Sequence, residues 1–221
     1  MLEGLRRLKK RLGEVGPIEL ARWACVRAEG AAWDRYFSAD TRRPFDGSAY
    51  ADKAESVPYE PLPWFLLRQS MDALPVTRAD VFLDYGAGMG RVLLMVARRQ
   101  LERVVGVELL APLAEIAREN VRAAKPRLHS PVEVVVADAA TYEVPDDVSI
   151  VFLFNPFVGT VMASTQAQVE ASLRRRSRRL RVLYAHADDQ PNLFAQCQWL
   201  KLRRRLGVGV FKRMNVAVYE N

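Results

Sequence analysis

The chain has 221 residues, 50% hydrophobic and 27% charged, which supplies one buried core and suits one larger domain or a domain with an appendage. Two distant cysteines, Cys25 and Cys197, and two histidines, His129 and His186, exclude a disulfide framework, a structural zinc site and a histidine cluster, and make the cytoplasm the expected location. No run of about 18 uncharged apolar residues occurs, so no membrane span is expected. The charged N-terminus lacks the apolar core of a secretory signal.

In chain order, Leu5 to Leu12 and Ile18 to Trp33 carry helical spacing of apolar residues. Ser38 to Ser56 is polar, contains Gly, Pro and Asp, and reads as loop. Leu62, Phe65, Leu66 and Met71 predict a helix within Pro61–Leu74, ended by Pro75. From Ala79 the pattern changes. Short β-branched runs at Val81–Tyr85, Val104–Glu108, Val132–Ala137, Ser149–Phe154 and Arg181–Ala185 read as strands. Amphipathic segments at Arg91–Arg99, Ala111–Ala124 and Val158–Arg176 separate them. Such alternation predicts a mostly parallel sheet with helices on both faces, and near-continuous apolar strands fit burial on both sides. The tail, Leu200–Leu206 and Gly209–Tyr219, reads as an antiparallel hairpin closing the sheet. Residues 1–77 therefore form an expected N-terminal helical extension or lid, and 78–221 the main domain.

The segment VFLDYGAGMGRVLL, Val81–Leu94, joins a buried strand to a helix through a glycine-rich turn. Gly86, Gly88 and Gly90 let backbone bend tightly and approach a ligand, while the helix start aims free amides over the turn. A dinucleotide fingerprint would need a third glycine at position 91, where Arg91 stands, which argues against NAD. Glu108 closes the second strand eighteen residues after Gly90, a position from which a carboxylate can accept two ribose hydroxyls. A solvated strand-end carboxylate is the alternative.

The order Asp84-x-Gly86-x-Gly88-x-Gly90 resembles motif I of the class I S-adenosylmethionine-dependent methyltransferases, and the similarity extends over most of residues 58–188. The resemblance implies a Rossmann-like, seven-stranded α/β fold and S-adenosyl-L-methionine as cofactor, with S-adenosyl-L-homocysteine as product. It implies that Asp84, Gly86, Ala87, Gly88 and Gly90 cradle the methionine end and that Glu108, with Leu109 beside it, holds the ribose. Asp138 would take the adenine amino group and the Ala139 amide a ring nitrogen, a helix cap or turn role for Asp138 being the alternative. Asn155-Pro156-Phe157, ending the fourth strand candidate, resembles motif IV of amino-methylating enzymes, one residue shorter than the Asn-Pro-Pro-aromatic form. It would line the transfer site, unless Asn155 only makes a structural turn. The wording around motif I is also similar to non-SET protein-lysine methyltransferases, which place an aromatic-proline segment upstream; Tyr59-Glu-Pro61 stands there, suited to the methionine end.

The implied reaction is methyl transfer to a nitrogen of a small molecule or protein side chain by a bacterial enzyme. If the acceptor is a hydroxyl, His186 is the histidine placed to take its proton, a packing role being the alternative. Net charge is +7, with arginines concentrated at Arg6–Arg11, Leu173–Arg181 and Lys201–Arg205. These runs fit either an RNA or DNA acceptor or solvated helix faces. A catalytically silent cofactor-binding or interaction protein is the remaining alternative, since fold does not dictate function.

Overall fold

The computed structural model describes residues 16–46, 48, 55–57, 59–72, 74–187, 193–207 and 214–221. The helix expected at Leu5–Leu12, and parts of the upstream loop and of the final strand expected from Gly209, lie outside the described residues.

Two upstream helices, α1 (Pro17–Phe37) and α2 (Trp64–Asp72), precede the alternating region. There follow β1 (Val81–Tyr85), α3 (Arg91–Ala97), β2 (Arg103–Glu108), α4 (Ala111–Ala124), β3 (Val132–Val136), β4 (Ile150–Phe154), α5 (Gly159–Arg175) and β5 (Arg181–Ala187). Strands β6 (Lys201–Gly207) and β7 (Met214–Glu220) complete the chain. Helix α1 runs one turn beyond the expected Trp33, because tertiary contacts reward the extra turn. Trp33 and Phe37 both stack on Trp64, at ring centroid distances of 5.8 and 5.4 Å, and the guanidinium of Arg98 covers Trp33.

The seven strands lie in the order β3-β2-β1-β4-β5-β7-β6. β1 to β5 are mutually parallel, while β7 is antiparallel to both β5 and β6. The predicted tail hairpin is present, with β6 on the outer edge and β7 returning inside it against β5. The pairing of β7 with β5 is non-local, and the spacing of apolar residues does not encode it.

Alternate residues of each strand feed two cores. Phe82, Val104, Phe152 and Leu183 pack with Trp64, Leu67 and Leu93 from the helices of one face. Leu83, Val105, Leu153 and Tyr184 pack with Met162 and Val169 of α5 and with Phe194 on the other. Strand β2 has Gly106 where α3 crosses: a Cβ there would come within 2.6 Å of Leu93. Sheet order reverses between β1 and β4, so the carboxyl ends of those strands border the crevice where open α/β sheets bind ligands.

Candidate functional site

Strand β1 delivers Asp84 and then the glycine turn to that crevice. Gly86 and Gly88 have φ of 76° and 53°, the left-handed region where a side chain would be strained. The space above each is used. A Cβ on Gly86 would come within 2.6 Å of Pro156, and one on Gly88 within 2.2 Å of the Tyr59 ring. Gly90 faces the other way, onto Ala117 of α4, where a Cβ would come within 3.1 Å. Ala87 is buried between these contacts.

Glu108 ends β2 almost wholly buried, at 5% exposure. Its Oε2 accepts the Gly88 amide at 2.8 Å and its Oε1 the Leu110 amide at 2.9 Å, so backbone donors fix the carboxylate beside the glycine turn. Burial raises its pKa, and the amides of Leu110, Gly88 and Leu109 oppose that rise. Asp84 is more extreme: it is 1% exposed, and its Oδ2 has no hydrogen-bond partner among the described residues. Burial, and secondly the charge of Glu108, push its pKa well above the usual carboxylate range. An orphaned buried oxygen is costly unless something fills its lone pairs. Leu109 is half-buried at the mouth of β2.

The loop after β3 joins this group through the Ala137 amide, which donates to the Glu108 carbonyl at 3.0 Å. Asp138 is exposed, and its Oδ1 accepts the Ala140 amide at 2.8 Å, a local turn bond of the kind weighed as the alternative for it. Ala139 is buried behind it.

At the end of β4, Asn155 has φ of 38°, and its Oδ1 accepts the Tyr184 hydroxyl of β5 at 3.3 Å. Burial pushes the Tyr184 pKa up to about 12, which keeps that hydroxyl a donor. The Pro156 carbonyl accepts the Val57 amide at 2.9 Å, and Val158 donates to the Glu55 carbonyl at 2.9 Å. Phe157 is buried edge-on to Tyr85, at a centroid distance of 6.2 Å, so its ring contributes to the core on this face. The structure thus brings the predicted residues to one rim. Asp84, Gly86, Gly88, Glu108, Asn155 and Pro156 border the crevice, whereas Gly90 and Phe157 serve packing. The side chain of His186, in β5, lies outside those described.

Four residues escaped the sequence reading. Glu55 accepts the Thr160 hydroxyl and the Val161 amide, both at 2.8 Å, and so caps α5 from the upstream segment. Thr41 and Arg91 bond to each other within the buried interface described below. Tyr184 is the fourth. Only Arg91 carried a signal, a cation opening an otherwise apolar buried helix.

Residues 82–182 match the family model described as a methyltransferase domain. No curated protein matches the sequence significantly. Among solved structures, a SAM-dependent methyltransferase from Aquifex aeolicus is similar at a TM-score of 0.59 and 16% identity, over 80% of this chain and 99% of that one. An RNA methyltransferase from Salinibacter ruber, in complex with S-adenosyl-L-homocysteine, is similar at 0.54 and 21%, over 73% and 93% of the two chains. A precorrin-8w decarboxylase from Methanobacterium thermoautotrophicum is similar at 0.53 and 15%, over 74% and 92%. These likenesses share the fold and do not select an acceptor. Residues 82–182, just under half of the chain, thus match a methyltransferase domain, and the seven-stranded sheet that holds them has the fold of the solved methyltransferases to which the chain is similar.

Proposed function

We propose that the chain transfers a methyl group from S-adenosylmethionine to a nitrogen of a small molecule or a protein side chain. The observation that carries this reading is the donor set over the glycine turn. Glu108 is held there by the Gly88 amide, Asp84 Oδ2 is buried with no partner among the described residues, and Tyr59 and Pro156 lie so close over Gly88 and Gly86 that neither position admits a Cβ. That set fits a ligand bearing an ammonium group and a ribose: Asp84 and the turn backbone for the methionine end, Glu108 for the sugar hydroxyls, Asp138 and the Ala139 amide for adenine. When bound, the cofactor supplies a methyl group already activated on a sulfonium.

The residues then have little covalent chemistry to perform. They hold donor and acceptor aligned, an effect worth roughly 7–11 kcal/mol in favourable cases. In this reading the Asn155 and Pro156 carbonyl oxygens, each with one lone pair engaged, orient a neutral amine with the other. Residues 55–57 pair across the β4 loop, with Ser56 bridging Phe157, and Tyr59 covers Gly88. Such a roof favours a slender acceptor, a side-chain or small-molecule amine, over a base presented by folded RNA. In this reading residues 1–77 are the lid and 78–221 the catalytic domain.

The test is transfer of a labelled methyl group to a lysine-rich protein, small amines and RNA, alongside S-adenosylhomocysteine binding by thermal shift. A ligand at 100 times its Kd stabilises by about 2.7 kcal/mol. Glu108→Ala is expected to remove most of that shift. Asn155→Ala is expected to lose turnover tenfold or more while binding is retained, about the effect of one hydrogen bond that matters in the transition state. Label appearing only on RNA, or full activity in Asn155→Ala, contradicts the amine reading.

A further inference from the structure

We infer that Arg91 is a positioning residue for the cofactor site, acting through Thr41 to hold the Tyr59 ring over Gly88. The inference rests on the cofactor reading above and adds a residue to it.

Arg91 opens α3 and is 5% exposed. Its Nε and Nη2 donate to the Thr41 hydroxyl oxygen at 2.9 and 2.7 Å, and its Nη1 to the Leu62 carbonyl at 2.9 Å. Its guanidinium carbon, Cζ, lies over the Trp64 ring, 5.0 Å from the centroid. All of those acceptors are neutral, and all belong to the upstream segment. The nearest carboxylate in this chain of contacts is reached through Thr41, whose hydroxyl donates to Asp34 Oδ1 at 2.6 Å; Asp34 Oδ2 in turn accepts Arg42 Nε at 2.7 Å. Among the described residues this buried guanidinium has no directly bonded carboxylate, which is expensive, and a packing role at the start of a buried helix would be met by an apolar side chain. The charge therefore has another use.

That use is visible on the other side of Thr41. Its backbone carbonyl accepts the Tyr59 hydroxyl at 2.8 Å. Burial raises the Tyr59 pKa, so the hydroxyl stays a donor. The ring then lies where a Cβ on Gly88 would be, and the Gly88 amide is given to Glu108. One residue, Thr41, thus ties Arg91 and Tyr59 together, and the contacts run on from Tyr59 through Gly88 to Glu108. Asn120 of α4 steadies the same junction: it donates to the carbonyls of Asp40 and Met89 at 3.2 and 2.9 Å and accepts the Asp40 amide at 2.8 Å. Lysine at position 91 would keep the charge but lose the fork that spans Thr41 and Leu62.

The test is a double-mutant cycle on S-adenosylhomocysteine affinity, measured by calorimetry on the full chain, with Glu108→Ala as a reference. Arg91→Lys and Tyr59→Phe are each expected to weaken binding about five- to tenfold, and the double variant no more than the weaker single. Multiplying effects in the double variant, or unchanged affinity in Arg91→Lys, would overturn the role. If Arg91→Lys fails to fold, Thr41→Val takes its place in the cycle, since it removes the same hydroxyl and keeps the Tyr59 acceptor. Should Glu108→Ala also bind normally, the cofactor reading itself fails, and the two failures are thereby distinguished.

Discussion

At the scale of single residues, the two carboxylates at the turn decide how the site responds to pH. Asp84 and Glu108 both have pKa values raised in the folded chain, first by burial. A raised folded pKa means the native state holds the proton more tightly than the unfolded chain does. The stability it contributes is fully present below the ordinary carboxylate pKa and is lost as pH rises through the folded value. Ligand binding has the opposite preference, because an ammonium group and ribose donors favour both carboxylates ionised. Affinity for S-adenosylhomocysteine is therefore expected to fall as pH drops from neutral toward the ordinary carboxylate range, earlier than an unperturbed glutamate would dictate. Calorimetry in buffers of different ionisation enthalpy is expected to show proton release on binding in that window. Constant affinity with no proton release would contradict it. The carboxylates themselves were legible in sequence, from their spacing around the glycines. Their unpartnered or amide-bound state was not, since it depends on what β2 and the upstream segment bring alongside.

At the scale of elements, the turn between β1 and α3 is closed by parts of the chain far from it. Tyr59 covers Gly88 and Pro156 covers Gly86, while Glu55 caps α5. Gly88→Ala combines left-handed strain with a clash against the Tyr59 ring. It is expected to lower Tm by roughly 3–6 °C, from strain of about 1–2 kcal/mol, and to remove the S-adenosylhomocysteine shift. An unchanged Tm and shift would mean that the Tyr59 ring is not seated there. Strands β1 to β5 and helix α4 were readable because apolar period and glycine punctuation are local signals. The upstream docking was not, because Arg91 to Thr41 spans fifty residues and leaves no periodic trace. Asn155 shows the same limit: its place at the end of β4 was legible, its hydroxyl partner on β5 was not.

At the scale of the whole molecule, charge is less available than composition implies. Within the run Leu173–Arg181, Arg174 pairs with Glu170, Arg175 with Asp146, Arg179 with Glu220 and Arg181 with Asp80. Arg178 spends its donors on the carbonyls of Val148, Ser172 and Arg176. That run ties α5 and β5 to neighbouring elements, which favours the structural reading over a nucleic-acid face; in β6, Lys201, Arg203, Arg204 and Arg205 are exposed, and Arg203 pairs with Glu220. No helix among the described residues is long and apolar enough to cross a membrane. The sheet order completes the account, since it is the reversal between β1 and β4 that gathers Asp84, Gly88, Glu108 and Asn155 at one rim. The most direct measurement is a crystal structure with S-adenosylhomocysteine. The expected result is a ligand over Gly86–Gly90 with both ribose hydroxyls on Glu108 and its amino group within hydrogen-bonding distance of Asp84. A ligand bound elsewhere, or one whose ribose does not touch Glu108, would contradict the account.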